Sequence, residues 1–350
     1  MQDPIPHRPA LPADLETQLE DLYVRGTPAN TLRAYERDLV YLTAWKAAAF
    51  GTALDWPETQ EVALRFVLDH ASDLTALPRS HESRRVADVL LEQGLRRSLA
   101  CPAPATLDRR IASWATLHRM RDLDSPFSTP LLIQTRRKAR RAAARPPLRK
   151  SRNPITRDVL DQLTATCDGT LRGIRDRAVL LTGFASGGRR RSELTDLNRE
   201  DISLKRFDAE GLVFLTLLET KTTSANDPKR LVLKGPAARA LIAWIDAAPI
   251  ADGPLFRPVS RGDRALKRRL SPDAIRQIVK HRLRLAGLPR DFASPHGLRS
   301  GFLTEAALQG APIQAAMRLS LHRSMAQAQK YYDDVEIEAN PATDLLGDDG

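Results

Sequence analysis

Residues 292–335 read FASPHGLRSGFLTEAALQGAPIQAAMRLSLHRSMAQAQKYYDDV, and the rest of the chain is best understood outward from them. Ser294-Pro295 has the form of a helix start, Gly310 of a stop, Pro312 of a second start and Ser324 of another cap. His296 and Arg299 therefore fall about one turn apart in the first turns of a helix, where unpaired backbone N–H groups already favour an anion. His322 falls in a short connection, and Tyr331 follows nine residues later on the next helix. Three side chains suited to holding a phosphate and one hydroxyl suited to attacking it are thus expected from three elements.

The spacing carries this reading, because each piece is weak alone. His-x-x-Arg occurs at His81/Arg84, His118/Arg121, His281/Arg284 and His296/Arg299, although the chain has only 7 histidines. What singles out the last copy is its helix-start context and the His322 and Tyr331 that follow. Taken singly, His322 could cap a helix and Tyr331 could be half-buried core.

With 350 residues the chain is long enough for two domains, each with its own core. A formal net charge of +11 points to a polyanionic partner, most simply nucleic acid, although a merely soluble basic protein would share it. Cys101 and Cys167 are isolated, with the spacing of neither a zinc site nor a disulfide framework, so a reducing cytoplasm is expected. No apolar run approaches the ~20 residues of a membrane span, and the polar N-terminus is unlike a signal peptide. No glycine-rich phosphate loop suggests ATP. The expectation is therefore no metal, no cofactor and no membrane.

Residues 1–12 are proline-rich and are expected to be a disordered tail. A helix is predicted from near Thr27-Pro28 or Asn30, with Leu32, Tyr35, Leu39, Leu42 and Trp45 as its apolar stripe and Arg33, Glu36, Arg37 and Asp38 on a solvated face. Further helices are expected over 57–73, 81–99 and 106–120, and no strand before residue 130. Residues 13–135 thus read as a helical bundle. Residues 136–152, RRKARRAAARPPLRKSR, then hold nine Lys or Arg and no acid. They read as a linker, with Arg136, Arg137, Lys138, Arg140, Arg141, Arg149 and Lys150 placed to lie on a phosphate backbone. From Thr156 onward the pattern predicts helices at 156–163, 174–184 and from Ser192, then strands at 211–218 and 231–233 around a polar hairpin tip, then helices at 236–247 and 272–285. The fold class expected is mainly α, an N-terminal helical bundle followed over 153–335 by a mostly helical domain with a small antiparallel sheet, and then a tail, 336–350.

The order Gly-Arg-Arg-Arg-Ser-Glu-Leu (188–194), Thr-Lys-Thr (220–222), His-x-x-Arg (296–299), His322 and Tyr331 resembles the tyrosine recombinase, or phage integrase, family. The front half shares the likeness, since TLRAYERDLVYLTAWKAA (31–48) and TLDRRIASWATLHR (106–119) resemble helices of that family's core-binding domain. The resemblance implies a site-specific DNA recombinase that acts through a covalent 3′-phosphotyrosine, without metal or ATP, as a homo-tetramer on paired sites in double-stranded DNA. It implies Arg190 and Arg299 as the phosphate clamp, Glu193 as support, His322 as a third donor, Lys221 as general acid, His296 as the partner of the tyrosine and Tyr331 as nucleophile. Arg189 and Arg191 compete with Arg190, Lys229 with Lys221 and Tyr332 with Tyr331. Leu321 stands where the family commonly has Gly, and the loop before Arg190 has one residue more than usual. The tail at 336–350 resembles the family's subunit-docking helix. A type IB topoisomerase, a metal-dependent transposase and a DNA-binding regulator with a decayed site are the rival functions.

Overall fold

The computed structural model of the chain describes residues 12–144, 151–218 and 228–336. Its two compact units are Met1–Pro147 and Leu148–Gly350.

In the first unit the described helices are α1 (Ala13–Gly26), α2 (Ala29–Phe50), α3 (Gln60–Ala71), α4 (Glu82–Glu92), α5 (Pro104–Met120) and α6 (Pro130–Ala142). Aromatic residues spaced on three helices build the core: Trp45 meets Phe66 edge to face at 4.9 Å, and Phe66 meets Trp114 at 5.4 Å. Burying each such ring is worth about 2–3 kcal/mol. The buried face of α2 is centred on Asp38, Tyr41, Leu42 and Trp45, while Leu32, Tyr35 and Leu39 are only half-buried. Asp38, expected on the solvated face, is 1% exposed. It accepts hydrogen bonds from Arg109 and, at 2.7 Å, from Ser113 Oγ, and such donors are what permit a carboxylate to be buried.

The first residues of the linker expected at 136–152 belong to α6, which runs to Ala142. Pro130 stands in the first turn of α6 and Thr129 is its N-cap; Leu132 and Ala139, seven residues apart, are buried in the core of this unit. That stripe overrides the charge run up to Ala142. Arg136 and Arg140 pair with Asp108 at 3.4 and 2.7 Å, whereas Arg137, Lys138 and Arg141 are exposed. Arg149 and Lys150 lie outside the described residues.

His70 ties this bundle to pH. Its Nδ1 donates to Phe66 O at 2.7 Å and its Nε2 accepts from Tyr41 Oη at 2.6 Å, a neutral arrangement. Full burial holds its pKa down at about 3. The folded value lies below the unfolded one, so the unfolded state binds the extra proton. Stability is therefore complete above about pH 6.5 and falls toward pH 3, at up to about 1.4 kcal/mol per pH unit. His118, also lowered by burial, acts in the same direction. Urea titrations followed by tryptophan fluorescence, at about pH 7 and about pH 5, should show a shallower acid loss in His70→Gln than in the parent chain. Three of the 4 tryptophans, Trp45, Trp56 and Trp114, report this unit.

The second unit runs α7 (Arg157–Ala165), α8 (Leu171–Ala185), α9 (Arg191–Asp196), β1 (Ile202–Arg206), α10 (Phe207–Glu210), β2 (Leu212–Leu217), β3 (Lys229–Leu233), α11 (Gly235–Ala247), α12 (Pro272–Leu285), α13 (His296–Leu308), α14 (Ile313–Ser320) and α15 (Met325–Glu336). The sheet is antiparallel in the order β1-β2-β3, with Ile202 opposite Leu215 and Leu215 opposite Leu231. Val213, Leu215 and Leu217 alternate inward and pack with Ala178 and Val179 of α8 and Ala238, Leu241 and Trp244 of α11. Strand β1 was not expected from the sequence, because ISLKR has only two apolar residues and is recognisable mainly by its pairing. A buried Asp176 on α8 joins Arg175 at 2.6 Å and Arg282 of α12 at 2.7 Å, which fixes α12 on the central helix. The fold class is as expected: mainly α, with one small antiparallel sheet.

Candidate active site

The site lies in the second unit, where α8 turns into α9. Gly187 and Gly188 make that turn with φ +96 and +69, a region disfavoured for other residues. A Cβ on Gly187 would lie 2.3 Å from Leu319 O, and one on Gly188 would lie 2.2 Å from Arg299 Cα. Glycine therefore lets the turn run against both the end of α14 and the backbone of α13.

Arg190 is the N-cap of α9 and Glu193 sits on its first turn. The Glu193 carboxylate is buried and accepts from the Arg190 side chain and, at 3.3 Å, from its backbone N–H. Arg190 keeps 31% side-chain exposure, so it is aligned yet accessible. Its neighbours differ: Arg189 is buried and Arg191 is exposed. Arg189 Nη2 donates to Leu319 O at 2.7 Å, and its Nη1 lies 3.4 Å from Glu193 Oε2.

His296 opens α13, its backbone N–H donating to Ser294 Oγ at 3.2 Å. Arg299, one turn on, is 3% exposed. Its Nη1 donates to Gly188 O at 3.3 Å and its Nη2 to His322 Nδ1 at 3.1 Å. A guanidinium has no acceptor, so Nδ1 of His322 must accept and the proton resides on Nε2. Ser320 Oγ, 2.8 Å away, offers the same nitrogen a second donor. Burial first, and then the charges of Arg299, Arg190 and Arg189, lower the His322 pKa to about 3. Burial and the same arginine neighbours lower Arg299 to about 10. His322 is therefore neutral near pH 7 and Arg299 charged, the pattern of a site short of negative charge.

Leu321 is the C-cap of α14 with φ 55 and ψ 43. Its side chain packs against the main core cluster, which sustains a left-handed backbone that costs a non-glycine residue about 1–2 kcal/mol. Both truncations lose the packing, but only glycine relieves the backbone. In thermal melts Leu321→Gly should accordingly be more stable than Leu321→Ala by about 1 kcal/mol, the reverse of the usual order. Equal stability would mean that the left-handed cap is not kept.

Tyr331 and Tyr332 are adjacent on α15 and differ in environment. Tyr332 is 4% exposed and donates its hydroxyl to Ala311 O at 2.9 Å. Tyr331 is half-buried, with its hydroxyl 3.4 Å from His296 Nε2 and its ring 6.5 Å from that of His322. The structure thus brings Arg190, Glu193, His296, Arg299, His322 and Tyr331 together through α9, α13, the α14–α15 connection and α15. Lys221 lies outside the described residues; Lys229, its competitor, opens β3. Sequence reasoning overlooked the site roles of Gly187, Gly188 and Ser320. The adjacent glycines were the available signal for the turn, whereas Ser320 gave none.

The sequence pattern of the phage integrase family matches residues 153–336. Among individual proteins, the integrase/recombinase xerD homolog of Selenomonas ruminantium is 26% identical over 88% of this chain and 82% of its own length. Tyrosine recombinase XerC of Pelobacter propionicus is 29% identical over 88% and 85%. The fold resembles that of a lambda integrase dimer bound to a COC' core site, with a TM-score of 0.54, 16% identity and coverage of 91% of this chain and 94% of the other. It also resembles the Tn1549 transposon integrase in complex with circular intermediate DNA, with a TM-score of 0.55, 15% identity and coverage of 93% and 98%.

Proposed function

Because this chain belongs to the phage integrase family, we propose that it cuts and rejoins double-stranded DNA at specific sites through a covalent 3′-phosphotyrosine on Tyr331, using neither metal nor ATP. The observation that carries this is the Tyr331 hydroxyl within 3.4 Å of His296 Nε2, beside Arg190, Arg299 and His322. In the cleavage step Tyr331 Oη forms a bond to phosphorus as the bond from phosphorus to the 5′ oxygen breaks. His296 takes the tyrosyl proton, and Lys221, a role implied by the family resemblance, delivers a proton to the departing oxygen. Arg190 and Arg299 hold the non-bridging oxygens, and His322 Nε2–H is a third donor. The phosphotyrosine conserves the ester, so the reverse attack by a 5′ hydroxyl rejoins the strand without an external energy source.

The same reading makes the working unit a homo-tetramer on paired sites in a cytoplasmic, DNA-associated protein. Of the tail proposed for subunit docking, 336–350, residues 337–350 lie outside the described part of the chain. Among the described residues no helix is long and apolar enough to cross a membrane.

The test is to incubate the protein in EDTA with supercoiled DNA from around its own gene, quench with SDS and map any adduct by peptide mass spectrometry. An adduct on Tyr331 is expected. Cleavage that requires added magnesium would overturn the metal-free mechanism, and relaxation of arbitrary plasmids with equal efficiency would favour a topoisomerase.

A further inference from the structure

Arg189 is buried more deeply than the arginine beside it, yet no step of strand cleavage uses it. Its side chain is 1% exposed, and among the described residues its Nε and Nη1 make no hydrogen bond. Burial lowers its pKa to about 10, so it remains charged near neutrality. An apolar side chain would fill the same space without the desolvation cost of a charge. What the guanidinium does instead is connect two structures that each present a site residue. On one side Nη1 lies 3.4 Å from Glu193 Oε2, while the other oxygen of that carboxylate holds Arg190. On the other side Nη2 donates at 2.7 Å to Leu319 O. Leu319 is in the last turn of α14, where helix carbonyls lack intrahelical partners, and it is three residues before His322.

Gly187, with no side chain, passes Leu319 O closely enough for this bond to form. Ser320 and Leu321, next in sequence, supply the Oγ near His322 Nδ1 and the left-handed turn that swings the ring into place. A shift of Leu319 would move both.

We infer that Arg189 is a positioning residue, which fixes the orientation and the Nε2–H tautomer of His322 and, through Glu193, the direction of Arg190. The consequence for catalysis rests on the recombination mechanism above; the structural claim does not.

The experiment uses the full chain labelled with nitrogen-15 in histidine, the His322 ring signals being identified by their loss in His322→Gln. The parent protein should show one ring nitrogen persistently protonated and the other persistently not. In Arg189→Met the two signals should move toward tautomer averaging while circular dichroism stays that of the parent. Arg189→Lys keeps a buried cation that can still donate to Leu319 O, and should restore the fixed tautomer. Strand cleavage, read as SDS-trapped adduct, should fall about tenfold to a hundredfold in Arg189→Met and recover in Arg189→Lys.

An unchanged His322 spectrum in folded Arg189→Met would show that Arg189 only fills space. Should Arg189→Met fail to fold, Arg189→Lys decides alone: a folded protein with an averaged tautomer overturns the proposal. The nitrogen spectra need no DNA, so a negative result there counts against Arg189, whereas a parent protein that forms no adduct counts against the recombination reading.

Discussion

Tyr331→Phe is expected to leave no covalent protein–DNA adduct, while DNA binding and fold are retained. The substitution removes one half-buried hydroxyl whose described contact is a 3.4 Å approach to His296 Nε2, and a hydrogen bond of that kind contributes about 1 kcal/mol to stability. In the proposed mechanism the same oxygen forms the bond to phosphorus, so strand cleavage should be lost with it. Tyr332→Phe should behave in the opposite way. Its hydroxyl donates to Ala311 O at 2.9 Å inside the cluster formed with Leu303 and Ala316. Removing it takes that donor away from the carbonyl, at about 1–3 kcal/mol, but the adduct should still form on Tyr331. An adduct that survives Tyr331→Phe, or that maps to Tyr332, would mean that the buried and half-buried tyrosines have been assigned the wrong way round.

Arg299→Gln is expected to lower strand cleavage by about a hundredfold to a thousandfold, the usual cost of one preorganised donor to a transition-state charge. Arg299 does two further things that a neutral amide cannot reproduce together: its fork holds Gly188 O at 3.3 Å and His322 Nδ1 at 3.1 Å. Loss of the fork releases the glycine turn before Arg190 and the proton that should stay on His322 Nε2. For this reason Arg299→Lys should recover only part of the rate: it restores the charge but presents a single ammonium in place of a planar fork. Single-turnover cleavage at saturating protein separates this from weaker binding. A parent-like rate in Arg299→Lys would show that charge alone suffices and that the shared geometry of Gly188, Arg299 and His322 has no catalytic role.

Much of the fold follows from local signals. Pro28, Pro236 and Ser271-Pro272 punctuate helices that the structure places at Ala29–Phe50, Gly235–Ala247 and Pro272–Leu285. The starts of α13, α14 and α15 were legible for the same reason: proline, serine and glycine act through their own backbone and their immediate neighbours. The spacing from His296 to Tyr331 was equally readable, because helices of known rise convert residue intervals into distances. Where the sequence misled, a partner distant in the chain decided. Asp38 looked like a solvated charge until Arg109 and Ser113, some 70 residues later, covered it. The arginine run from 136 looked like a linker, yet Leu132 and Ala139 bind α6 to the first core. Strand β1 exists because β2 pairs with it.

The sequence by itself determined the residue types of the site, their order and the family to which the chain belongs. Only the tertiary structure decided their environments: that Arg189 is enclosed and Arg190 accessible, that Tyr332 is anchored and Tyr331 lies by His296, and that His322 carries its proton on Nε2. Chemical identity and helical spacing are properties of the chain taken locally. Burial, hydrogen-bond partners and the tautomer they impose depend on which distant segments come within a few ångströms, here the end of α14 meeting the turn before α9 across 130 residues of sequence.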